Sequence, residues 1–154
     1  MGMYGYLAAL SPDTVRFLGR EPDFDTFMGL LNGENGLEIG QMWDAVDRVV
    51  STLLDGQASL MSGTPVTDDL CYGPAMFISV EEVRAMAASL SGVSDARLTA
   101  AFASTGYMHG YADLQDRPDE LANLESCALD STRDTLALFE RAAGNQLGII
   151  FVVL

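Results

Sequence analysis

Residues 147–154 constrain the fold more than any other stretch. Leu147-Gly148-Ile149-Ile150-Phe151-Val152-Val153-Leu154 has no polar side chain and is rich in β-branched residues. A strand with one face in water alternates apolar and polar residues, because successive side chains point to opposite faces. A run without that alternation suits a strand covered on both faces, inside a sheet rather than at its edge. It is far too short to cross a bilayer as a helix. A second strand is expected over residues 3–10, where two tyrosines and small residues alternate.

Between these strands the pattern is helical. Ser11-Pro12-Asp13 is a helix start, with Ser as N-cap and Pro in the first turn. Phe24, Phe27, Met28 and Leu31 form one apolar stripe closed by Asn32-Gly33. Leu37 and Ile39 lead into a helix that carries Trp43, Val46, Val50 and Leu53 or Leu54 on one face. Ser79 and Glu82 have capping-box spacing, and Ile78 and Val83 are placed for a hydrophobic staple. Ser94 caps a further helix with Leu98, Ala101 and Phe102 inward. Pro118 opens a segment with Leu121, Leu124, Ala128, Thr132, Leu136, Phe139 and Ala143 on one side. A break is expected near Asp130-Ser131, and a stop at Gly144-Asn145.

Two stretches resist this reading. Residues 55–75 are interrupted by Gly56, Gly63, Pro65, Asp68, Asp69, Gly73 and Pro74. A connection of that length is often functional, so it is the first candidate for a partner-contacting surface. Residues 105–115 are also irregular and hold the only histidine, His109. With no repeat or linker, the 154 residues are expected to form one domain, a sheet flanked by helices of α/β class, with α+β as the alternative.

Charge narrows the function classes. Acidic residues number 22 against 8 basic ones, for a net charge of −14, and every basic residue is arginine. Such a surface repels nucleic-acid backbones and anionic lipid, and speeds encounter with a basic protein. Residues 1–6 lack the basic start of a signal peptide, so a cytoplasmic protein is expected. Cys71 and Cys127 have no metal or redox spacing and read as ordinary thiols.

No G-x-S-x-G elbow, phosphate-binding loop, dinucleotide glycine fingerprint or H-E-x-x-H is present. The single histidine excludes a two-histidine metal site within the chain, and no cofactor is expected. His109, among Tyr107, Tyr111 and Asp113, is the candidate for a small polar pocket. Asp68, Asp69, Tyr72 and Asp116 are candidates for contact with a partner. Asp68-Asp69 lacks the spacing of a calcium loop. The reading is a non-catalytic acidic interaction protein, an immunity-type inhibitor of a basic toxin or nuclease. The alternative is a small-molecule binder or enzyme with a site near residues 107–113.

The order and spacing of several segments resemble a known family. They are Met1-Gly2-Met3 with Tyr6, the tryptophan segment from Leu37 to Asp44, Gly73-Pro74-Ala75, Ser79-Val80-Glu81-Glu82-Val83, and the stretch from Leu138 to Ala143. Together they resemble the YfbM-like family of small bacterial domains of unknown function, over nearly the whole length. The resemblance implies three layers, with a central mixed sheet between helices. It supplies no reaction and no catalytic residues. Gly40 and Asp47 depart from the family pattern, standing where a lysine and a histidine are usual.

Overall fold

The computed structural model describes residues 2–20, 24–68, 70, 72–107 and 116–154. In chain order these hold β1 (Gly5–Leu10), α1 (Pro12–Arg20), α2 (Phe24–Leu31), β2 (Gly36–Gly40) and α3 (Trp43–Leu53). There follow β3 (Thr64–Pro65), β4 (Met76–Ile78), α4 (Val80–Leu90), α5 (Asp95–Ser104), α6 (Pro118–Gly144) and β5 (Gly148–Val153). The strands form one sheet in the order β2-β1-β5-β4-β3.

The apolar C-terminal strand lies at the centre of that sheet. β5 pairs with β1 on one side, Leu7 opposite Phe151, and with β4 on the other, Phe77 opposite Ile150. All six of its residues are buried. Its side chains divide between two cores. Ile149, Phe151 and Val153 join Leu7, Ala9 and residues of α3, α4, α5 and α6. Ile150 and Val152 join Ala8, Leu10 and residues of α1 and α2. The chain is therefore three layers, with helices on both faces of the sheet, the arrangement that the resemblance implies.

One part of the expectation is corrected. Every pairing among the described strands is antiparallel, where the resemblance implied a mixed sheet. A fully apolar strand reports cover on both faces, which antiparallel and parallel neighbours satisfy equally well. Antiparallel pairing places the fold on the α+β side of the two classes left open.

Local signals at the helix starts are realised. The Ser11 hydroxyl accepts from the Thr14 amide at 3.2 Å. At α4 the Ser79 hydroxyl accepts the Glu82 amide at 3.2 Å, and the Glu82 carboxylate accepts the Ser79 amide at 2.8 Å. Ile78 and Val83, the staple pair, are buried in the same core.

α6 runs unbroken through Asp130-Ser131 for 27 residues. Its inward face carries Ala128, Leu129, Thr132, Thr135, Leu138, Phe139 and Ala142. The two buried threonines donate to carbonyls one turn back, Thr132 to Ala128 at 2.7 Å and Thr135 to Ser131 at 2.8 Å. Their hydroxyls are thereby satisfied without water, and packing overrides the weak helix preference of Asp and Ser.

The described part of the 55–75 connection is more ordered than its composition suggests. Leu60 is fully buried. β3 pairs with β4, and beyond it the Val66 amide donates to the Ala75 carbonyl at 2.9 Å, while the Ala75 amide donates to the Thr67 hydroxyl at 2.9 Å.

Candidate functional site

The described sequence candidates are not gathered in one place. Asp68 and Tyr72 are exposed on the hairpin between β3 and β4, whose Val66, Leu70 and Ala75 pack on the α1–α2 side of the sheet. Tyr107 is half-buried and packs against the core on the opposite side. Asp116 is exposed just before α6. Asp69, His109, Tyr111 and Asp113 lie outside the described residues, as does Cys71; Cys127 is a free, exposed thiol.

Tyr107 is the candidate that the fold surrounds with other functional groups. It follows α5, where the Thr105 hydroxyl donates to the Phe102 carbonyl at 2.6 Å and accepts the Tyr107 amide at 3.2 Å. That turn sets the ring beside Phe102, with centroids 6.3 Å apart. The Arg48 guanidinium lies 5.7 Å from the ring centroid, within cation–π range. Arg48 also pairs with Asp44, one turn earlier on α3, at 3.1 Å.

Two open clefts are lined by residues of this group, and Arg48 itself lines the smaller. The larger, about 600 Å³, is lined by Gly2, Met3, Gln41, Trp43, Asp44 and Tyr107. The smaller, about 380 Å³, is lined by Asp47, Arg48, Ser51, Thr52, Ser59 and Thr105. Trp43 belongs to both core and surface. Its ring is tilted against Phe151 at 6.2 Å, and it also forms one wall of the larger cleft. Gly5 permits that placement, because a Cβ on Gly5 would overlap the Trp43 side chain.

Asp47 has a structural role. Its carboxylate accepts the Leu60 amide at 2.7 Å, and the Ser59 side chain and Met61 amide also favour its charged form. This ties the start of the 55–75 connection to α3. Burial pushes the Asp47 carboxyl above its ordinary value; the hydrogen bonds oppose the shift, and the charge of Asp44 adds to it. Nothing in the sequence near Asp47 signals this contact, which spans 13 residues.

A pKa raised by folding means that the native chain takes up the proton first as pH falls. Ionised Asp47 therefore subtracts stability at neutral pH, and the deficit disappears as pH drops through the raised value toward the unfolded one. Asp47→Asn keeps an acceptor for Leu60 without the charge, so it is expected to match or exceed the parent at pH 7. Its relative advantage should shrink at pH 4. Asp47→Ala strands the buried Leu60 amide and is expected to cost about 1–3 kcal/mol. Denaturant melts at both pH values check these signs, and a stabilising alanine substitution would contradict them.

Among the described residues, no group of three or more His, Cys, Asp and Glu is gathered to hold a metal ion. No helix among them is long and apolar enough to cross a membrane. The arrangement at α3 offers two aromatic rings, a carboxylate and an amide around an open cleft, which suits binding a planar or cationic group.

A domain-family model matches residues 1–152, and the chain belongs to that family, the domain of unknown function DUF1877. The fold is shared with the crystal structure of a protein of unknown function, YfbM from Escherichia coli. The TM-score is 0.63 and 16% of residues are identical, covering 98% of this chain and 99% of that one. At that identity the likeness concerns the fold alone. No curated protein matches the sequence.

Proposed function

We propose that this chain is a non-catalytic acidic interaction protein of the cytoplasm that binds a basic protein, as an immunity-type inhibitor of a basic toxin or nuclease does. The observation that carries this reading is the charge arrangement. The net charge is −14. Among the described residues, four arginines are engaged by nearby carboxylates: Arg16 by Asp13, Arg48 by Asp44, Arg117 by Glu120, and Arg133 by Asp95 and Asp130. Local pairing of this kind leaves the surplus carboxylates to set the outward field, which favours encounter with a cationic surface. Asp68, Asp116 and Asp119 are exposed and form the proposed steering set.

A second reading, small-molecule binding, draws support from the cleft walled by Trp43 and Tyr107. Affinity capture from the native lysate, at low and at high salt with mass spectrometric identification, separates the two. The interaction reading expects one basic protein, retained at low salt and weakened at high salt. Retention that ignores salt, or capture of acidic proteins alone, contradicts it.

A further inference from the structure

We infer that the larger cleft beside α3 is a seat for a guanidinium group, with Asp44 as its counter-ion and Trp43 and Tyr107 as its walls. The inference rests on the proposed binding of a basic protein and names the place where one of that protein's arginine side chains docks.

Three observations point to this ligand. The first is the chain's own arginine. Arg48 already holds its guanidinium against the Tyr107 ring at 5.7 Å while pairing with Asp44 at 3.1 Å. The local chemistry therefore accepts a guanidinium, whose weakly hydrated planar face stacks on aromatic rings and whose edge donates to carboxylates. Second, the charges do not cancel. Asp44 and Asp47 stand three residues apart on α3, one lining each cleft, and among the described residues that line the two clefts Arg48, in the smaller, is the one cation. The neighbourhood retains negative charge with Arg48 in place. Third, the cleft is open and of the right kind. At about 600 Å³ its lining combines the apolar Met3 and Trp43 with the polar Gln41 and Asp44. The Asp44 and Arg48 side chains are 40% and 53% exposed, so their pairing can be exchanged for an incoming partner without opening the core.

Exchange gives the inference its distinguishing signature. Arg48 competes with the incoming guanidinium for Asp44, so removing each member of the pair has an opposite effect. Asp44→Asn removes the counter-ion and weakens binding. Arg48→Gln removes the internal competitor and strengthens it.

Trp43 is the only tryptophan in the chain and reports on the cleft directly. The probe is Nα-acetyl-arginine amide, titrated against Trp43 emission at low salt, with N-acetyl-leucine amide as the neutral control. The expected result is a saturable emission change with the arginine derivative and none with the leucine derivative. Asp44→Asn should raise the apparent Kd about threefold, the scale of a partly exposed ion pair. Arg48→Gln should lower it, and Asp134→Asn, exposed on α6 and lining neither cleft, should leave it unchanged. Melting curves of the variants keep a folding defect from passing as a binding defect.

The two sources of a guanidinium separate in the same assay. A docking arginine of a protein partner binds weakly as the isolated amide and more tightly within an arginine-containing peptide. A free metabolite site favours the small molecule over the peptide, and that order would overturn docking by a partner. An equal response to both amides, or variants that titrate like the parent, would overturn the guanidinium seat itself. If a basic partner is captured from lysate but binds equally to the Asp44→Asn and Arg48→Gln chains, the interaction reading stands and the cleft is excluded.

Discussion

Phe151→Ala is expected to lower the free energy of unfolding by about 3–5 kcal/mol. Phe151 is 1% exposed and sits in the central strand, opposite Leu7 of β1 and Met76 of β4. Its ring fills the space between the sheet and the layer of α3 to α6, with Trp43 packed against it. The cost has two parts: lost transfer energy of the ring, and a cavity that neighbours on three strands and a helix cannot close together. Trp43 loses its aromatic neighbour, so its emission should also shift toward that of a more solvated indole. Urea denaturation followed at Trp43 measures both. A loss below about 1 kcal/mol would mean that the ring is not enclosed as described.

Gly36→Ala is expected to destabilise by about 1–3 kcal/mol, as overpacking does. Gly36 begins β2, immediately after the turn that closes α2, and a Cβ there would overlap the backbone carbonyl of Leu31. Backbone cannot swing aside as a flexible side chain can, so turn and strand must move together. Gly29 provides the opposite case. It lies in α2, and nothing stands within 4 Å of the place a Cβ would take. Gly29→Ala should therefore stabilise the chain by up to about 1 kcal/mol, through helix propensity alone. Thermal unfolding of the pair checks the two signs, and equal shifts would contradict the close approach at Gly36.

The layered fold was readable from residues whose message does not depend on distant partners. β5 is continuous apolar sequence, and the start of α4 is written in Ser79 and Glu82 by side chains that cap their own backbone. β2 escaped because Leu37-Glu38-Ile39 is too short for alternation to stand out, and the glycines at both ends resemble loop. Its pairing with β1 is what makes it a strand. Asp130-Ser131 suggested a helix break from propensity, but Ala128, Leu129 and Thr132 are held in the core and carry the helix through.

The candidate site was less readable. Trp43 lies on the apolar stripe of α3, and the stripe correctly places it against the core, but periodicity does not reveal that the same ring walls a cleft. Arg48 and Asp44 are an ordinary helical pair in sequence; the ring of Tyr107 reaches them only through the turn after α5. Asp47 lies off the stripe and would pass for a solvated residue, yet it holds the amide of Leu60. Contacts of this kind are made by tertiary structure, so no local pattern announces them.

The most direct test of the interaction reading is the association rate constant with the captured basic protein, followed as ionic strength rises from about 0.01 to 0.15 M. Over that range the screening length falls from about 30 to about 8 Å. Electrostatic steering requires the rate constant to fall at least about tenfold. Asp68→Asn, Asp116→Asn and Asp119→Asn combined should bring the low-salt rate toward the high-salt one. A rate constant that stays flat with salt, and is the same for the three-carboxylate variant, would contradict the claim that the acidic surface recruits the partner.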